Sequence, residues 1–206
     1  RPIGLGENVK FVLKSYKNKI ADIQLLSENG QVVRIRASFS PSKKKEPLSF
    51  PDSNPTRQEC LEQNQNQLAN ASGSLDLCLN QSEMALRFPN LMRILPTNQL
   101  AELMAVTRLV GMECPGLHSI FLDLNLEFSN PIQSVSRLGY KVLSYDTRVG
   151  LLIHNVETSD MTGTLKAFVR PPPKNQGTLL ELRKYVREGE FAGQKALIIG
   201  GSRGLG

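Results

Sequence analysis

Leu95-Pro96-Thr97-Asn98-Gln99-Leu100-Ala101-Glu102-Leu103-Met104-Ala105-Val106-Thr107-Arg108-Leu109-Val110-Gly111 is the stretch on which the fold turns. Leu100, Leu103, Met104, Thr107 and Val110 recur at i, i+3, i+4, i+7 and i+10, which predicts the buried face of a helix over residues 96–112. Pro96 opens that helix, Thr97 or Asn98 can cap it, and Gly111 and Pro115 bound its far end. Four strand-like runs follow: Phe121–Phe128, Leu138–Tyr145, Val149–Val156 and Gly163–Val169. A helix followed by antiparallel strands is an α+β pattern.

Upstream, Val9–Leu13, Ile20–Leu26 and Val32–Ala37 read as three antiparallel strands, with Asn29-Gly30 as the hairpin signal between the last two because both positions tolerate positive φ. Lys43-Lys44-Lys45 with its flanking prolines ends this sheet and reads as a solvated loop. Phe11-Val12-Leu13-Lys14-Ser15-Tyr16 lines up with Tyr140-Lys141-Val142-Leu143-Ser144-Tyr145, and the match continues with Ile20 on Val149, Ile23 on Leu152, Gly30 on Gly163 and Ala37 near Ala167. The alignment predicts a duplicated α+β unit whose first copy lacks its N-terminal half and its helix.

Between the two copies, residues 51–86 are polar and read as a linker, with Pro55-Thr56 and Glu59 as the capping signal of a short helix near 57–69. Pro171-Pro172-Pro173 is a stiff spacer. Residues 178–186 could form a short helix, and Ala196-Leu197-Ile198-Ile199 has the continuous apolar character of a buried parallel strand. The expected organisation is therefore strands of a first unit at 1–50, the linker at 51–86, a second unit at 87–170, a Pro-rich linker and short helix at 171–192, and the start of a further domain at 193–206.

Composition narrows the function classes. The 206 residues carry a net charge of +6, and residues 1–47, with ten Lys/Arg against four Asp/Glu, account for all of it. A basic groove spread over the fold is thereby excluded, and with no Trp and four Tyr there is no stacking platform for nucleic acid. Cys60, Cys78 and Cys114 match neither a disulfide framework nor a zinc site, so reduced thiols, a cytoplasmic location and no metal are expected. No apolar run reaches the ~20 residues needed for a membrane span. The sequence starts without Met and stops within Gly204-Leu205-Gly206, and it reads as a fragment cut at both ends.

Gly200-Gly201-Ser202-Arg203-Gly204-Leu205-Gly206 directly follows the last apolar strand, where a strand must turn into a helix whose amides face a pyrophosphate. Gly200 permits the tight turn, Gly204 lets backbone approach phosphate, and Gly206 allows close helix packing. This pattern resembles the cofactor loop of the short-chain dehydrogenase/reductase family, whose usual form has Thr where this chain has Ile199. The resemblance implies a Rossmann domain over residues 193–206 onward, with Gly200, Ser202, Arg203, Gly204 and Gly206 binding NADP. Arg203 favours NADPH over NADH, because a guanidinium can face the 2′-phosphate. That family's Tyr-x-x-x-Lys pair is absent: Tyr16, Tyr140, Tyr145 and Tyr185 have Ile20, Ser144, Val149 and Gly189 four places on.

Arg87-Phe88-Pro89-Asn90 through Leu95-Pro96, with Leu100-Ala101-Glu102-Leu103-Met104-Ala105, is similar to the stretch of hot-dog thioester dehydratases in which His-Phe-Pro-Gly precedes a helix bearing Glu-Ala-Met-Ala. Residues 1–170 then resemble a tandem hot-dog, as in MaoC-like and polyketide-type dehydratases, with the first copy incomplete. The resemblance implies an acyl-thioester substrate, on coenzyme A or acyl carrier protein, a tendency to pair into oligomers, and Glu102 as the carboxylate that handles the substrate hydroxyl. In the family a His moves the proton at the carbon beside the thioester. Arg87 stands in its place and cannot exchange protons near neutral pH.

Two accounts stay open. A complementary His comes from the missing N-terminal half of the first copy, or the module binds acyl thioesters without acting on them. Fused to an NADPH-dependent 3-oxoacyl reductase, either arrangement would serve fatty-acid or polyketide-type chemistry. The competing account is a degenerate docking or dimerisation module attached to a reductase of non-acyl substrates. Glu102 has a plain structural explanation as well, since a glutamate in the first turns is favoured by the helix dipole. His118 and His154 read as packed or rim histidines, and Cys114 has no base at hand to make it a nucleophile.

Overall fold

The computed structural model describes residues 7–38, 40, 59–129, 136–172, 177–195 and 197. The chain divides into two compact units, Arg1–Glu46 and Pro47–Gly206. The first is a three-stranded antiparallel sheet of β1 (Val9–Lys17), β2 (Ile20–Ser27) and β3 (Gly30–Ser38) in that order. The Asn29-Gly30 hairpin forms as expected, with Gly30 at φ +114°. Asn18 and Lys19, at φ 51° and 62°, make the tight β1–β2 turn. Arg34 grips the carboxylate of Asp22 across β2 and β3, with Nη2 and Oδ2 2.5 Å apart.

In the second unit the expected linker belongs to the fold. Asn64 caps α1 (Gln65–Ala69) through a reciprocal capping box with Gln67, and β4 (Ser72–Asp76) pairs antiparallel with a later strand. Asn80 caps α2 (Gln81–Arg87), and α3 (Pro89–Ile94) follows at once with Pro89 in its first turn. Leu68, Leu75, Leu77, Leu79 and Met84 are buried in the core, so five of the sparse apolar residues of this polar segment face inward, while Leu61 and Leu86 stay exposed. The helix expected near 57–69 begins only at Gln65, and its cap is Asn64; Thr56 lies outside the described residues.

The central helix α4 (Thr97–Arg108) runs on into a π-helical turn at Leu109–Glu113. It is followed by β5 (Ser119–Phe128), β6 (Arg137–Asp146), β7 (Leu151–Glu157) and β8 (Met161–Val169), close to the expected runs. These join β4 in one antiparallel sheet of order β4-β6-β7-β8-β5. The α+β class is as expected: a helix laid on an antiparallel sheet, with Ala101, Ala105, Val106 and Leu109 in one core with Leu138, Val142, Leu152, Val156 and Leu165.

The buried face of α4 differs from the predicted stripe. Met104 and Thr107 are exposed and Leu103 is half-buried, while Asn98, Leu100, Ala101, Glu102, Ala105 and Val106 are buried. The alanines let the helix lie close to the sheet, and the larger side chains at 103, 104 and 107 rotate outward. Pro96, not Thr97 or Asn98, is the cap residue, and no side chain caps the helix. After β8, Thr178 and Glu181 form a capping box on α5 (Leu179–Leu182), shorter than the expected 178–186.

Gly200, Ser202, Arg203, Gly204 and Gly206 lie outside the described residues, as do Ala196, Ile198, Ile199 and Lys43-Lys44-Lys45. All three cysteines are free. Among the described residues, no helix is long and apolar enough to cross a membrane, and no group of three or more His, Cys, Asp or Glu could hold a metal ion.

Candidate functional site

Glu102 sits in the second turn of α4 and is completely buried. Its Oε1 accepts a 2.5 Å hydrogen bond from the hydroxyl of Thr158, while Oε2 has no partner. Thr158 opens the short turn between β7 and β8, which is closed by the Thr158 amide donating to the Met161 carbonyl at 2.7 Å. In the same turn, Asp160 is buried and accepts from Asn98 Nδ2 at 3.4 Å and from Ser159 Oγ at 3.0 Å. Asn98 and Glu102 are one turn apart on α4, so both face the turn.

Burial disfavours the charged form of Glu102 and, with the negative charge of Asp160, pushes its carboxyl up to about 7 against the opposing pull of the Thr158 hydroxyl. A carboxyl poised there is half protonated at neutral pH and can both give and take a proton. Thr158 is half-buried and Ser159 exposed, so the cluster lies one residue beneath the surface.

The other sequence candidates do not converge on it. Arg87 ends α2 on the surface, where its Nε donates to Glu83 at 2.9 Å in an i, i+4 pair. His154 faces the core from the middle of β7, roughly 13 Å along the strand from Thr158 at ~3.3 Å per residue. Neither of its ring nitrogens closes a hydrogen bond of good geometry. Burial lowers it to about 4, with the backbone of Cys114 and Leu165 pulling more weakly the other way, so it stays neutral. Burial likewise raises the Cys114 thiol to about 12, far from a nucleophilic thiolate. His118 is a half-buried residue at φ 68° whose carbonyl accepts from the Arg170 amide.

The chain is similar to a solved (R)-hydratase from A. caviae involved in PHA biosynthesis, at 13% identity over 52% of this chain and the whole of that one, with a TM-score of 0.42. No family model matches the sequence, and no curated protein matches it.

Thr158, Asp160 and Asn98 are the site residues that sequence reasoning missed. Thr158-Ser159-Asp160 carries turn chemistry, which marks a hairpin but not what the hairpin faces. Asn98 looks like a helix cap and is instead a buried partner of Asp160.

Proposed function

We propose that residues 59–172 form a hot-dog module of acyl-thioester chemistry, of the hydratase/dehydratase type, in which Glu102 is the acid–base carboxyl. The observation that carries this reading is the fully buried Glu102, with one oxygen held, the other free, and a proton affinity matched to neutral pH. In dehydration the neutral carboxyl would protonate the leaving hydroxyl of a 3-hydroxyacyl thioester; in hydration the carboxylate would take a proton from water. The proton at the carbon beside the thioester would be taken by the Glu102 carboxylate and handed to the leaving hydroxyl, and would return to that carbon in hydration, so one carboxyl serves both ends of the reaction. Arg87, paired on the surface, and His154, well along the strand, are not placed to share that work.

The test is hydration of a short 2-enoyl coenzyme A by the purified chain, followed as loss of the conjugated enoyl absorbance, beside Glu102→Gln. Turnover that falls at least about 100-fold in Glu102→Gln supports the reading, since positioned acid–base groups contribute roughly that much. Equal turnover in the two proteins would sink it. Binding of acyl coenzyme A without turnover favours the second account, to which the surface placement of Arg87 points, of a module that holds acyl thioesters without converting them.

For the distal segment the proposal rests on sequence. On the family resemblance of the sequence, Gly200, Ser202, Arg203, Gly204 and Gly206 would hold the pyrophosphate of NADPH in a 3-oxoacyl reductase. The product of the whole open reading frame should oxidise NADPH with a 3-oxoacyl coenzyme A, and Arg203→Ala should weaken NADPH more than NADH. A variant that affects both cofactors alike would remove Arg203 from 2′-phosphate recognition.

A further inference from the structure

The Thr158 hydroxyl has more partners than its contact with Glu102. Its Oγ1 accepts from the Asp160 amide at 3.1 Å and from the Met161 amide at 2.9 Å, while lying 2.5 Å from Oε1 of Glu102. A hydroxyl offers two lone pairs and one hydrogen. Both lone pairs are taken by amides, so the hydrogen is committed to Glu102, and Oε1 can only accept. A neutral Glu102 cannot put its proton on Oε1 without facing that hydrogen. Oε2, buried and without a partner, is the oxygen left to carry it.

We propose that Thr158 is the positioning residue of this site, and that by committing its hydroxyl hydrogen to Oε1 it places the exchangeable proton of Glu102 on Oε2. The assignment rests on the reading of Glu102 as the acid–base group and specifies which of its atoms does the work. Proton transfer to a substrate hydroxyl would then break the Oε2–H bond and leave a carboxylate whose Oε1 is already hydrogen-bonded, so the charge formed is stabilised where it appears. Asp160 enters through the same turn. Its charge opposes ionisation of Glu102, and among the described residues no cation pairs with either carboxylate. The turn thus carries both influences on Glu102, a hydroxyl that eases ionisation and a carboxylate that resists it.

The test reads the carboxyl itself by infrared spectroscopy of the whole chain, with Glu102→Gln to identify its band. In the native protein the neutral Glu102 carbonyl should absorb at the low frequency of a hydrogen-bonded C=O and titrate near pH 7. A band at the frequency of a free C=O would overturn the proposal, because it would put the proton on Oε1 and leave Oε2 as the bare carbonyl; this arm needs no Thr158 variant to fold. Thr158→Ser should keep band and midpoint. Thr158→Val should raise the frequency and move the midpoint up by roughly one pH unit, a tenfold gain in proton affinity. A valine variant that leaves both unchanged, or a serine variant that moves them as far as valine does, would also overturn it. Enoyl hydration absent with the titration intact would sink the proposed activity and leave the proton assignment standing.

Discussion

The sheet β1-β2-β3 and the run β6-β7-β8 are built on the same pattern and end in opposite environments. Each first pairing slips by one residue at the same point, between Leu13 and Ser15 in one and between Val142 and Ser144 in the other, positions that the sequence match of the two segments sets side by side. Tyr16 faces Ala21 as Tyr145 faces Leu152; Ile23 faces Ile35 as His154 faces Leu165. Yet Leu13 and Ile35 are 62% and 41% exposed, whereas their counterparts Val142 and Leu165 are at 6% and 0%. The difference is α4, which covers the second face. A strand pattern specifies which side is apolar, but a helix must supply the burial.

The register also corrects the alignment read from sequence. The β6–β7 turn, residues 147–150, is two residues longer than Asn18-Lys19, so Ile20 corresponds to Leu151 rather than Val149 and Ile23 to His154 rather than Leu152. By register Ala37 does match Ala167, while the position that matches Gly163 is Val33, not Gly30.

The largest expected effect tests the covered face. Leu165→Ala should cost roughly 2–5 kcal/mol in urea unfolding, because a fully buried side chain leaves a cavity under α4. A cost near zero would mean that α4 does not hold the sheet as described.

The next effect separates Glu102 and His154, two buried titratable groups of the covered face with opposite shifts. Glu102 is raised to about 7 in the fold, so its contribution is fully present below about pH 4.5 and is lost as pH rises through 7. His154 is lowered to about 4, so its contribution is fully present above about pH 6.5 and is lost as pH falls toward 4. Each is on the order of 3 kcal/mol when fully developed. Between those limits the slopes oppose, and the thermal midpoint of the native protein should change little with pH. Glu102→Gln should make stability fall on acidification, and His154→Leu should make it fall as pH rises. Parallel pH profiles for the two variants would contradict the burial of one or both.

Gly163→Ala comes third, at roughly 1–3 kcal/mol, since an added Cβ would lie 2.2 Å from the Asn125 carbonyl on the neighbouring β5. Val33 holds the same place on β3, which among the described residues is the last strand of its sheet. The smallest effect is expected for Ile35→Ala, the counterpart of Leu165 on the 41% exposed side, at less than about 1 kcal/mol. If Ile35→Ala proved as costly as Leu165→Ala, the first sheet would also be covered in solution, and the contrast between the two regions would disappear.

Much of the fold was legible because it is local. Alternation placed seven of the strands, Asn29-Gly30 placed a hairpin, and Pro96 marked the start of the helix, whereas Gly111, expected to bound its end, lies inside the π-helical turn. β4 was missed because Ser72-Gly73-Ser74-Leu75-Asp76 has one large apolar residue, and its strand state comes from pairing with β6. The site was half legible. Glu102 stood out on its helix, but its partners Thr158 and Asp160 are distant in sequence and look like ordinary turn residues.

By itself the sequence determined where seven of the strands and the central helix lie, which side of those strands is apolar, and which glutamate sits on the helix, because these follow from periodicities spanning a few residues. Only the tertiary structure decided which helical face turns inward, which of two like sheets is covered, and which oxygen of Glu102 is left free. Those depend on how closely a helix carrying Ala101 and Ala105 can approach the sheet and on a strand register that brings residue 158 against residue 102, and neither is written in any local stretch of the chain.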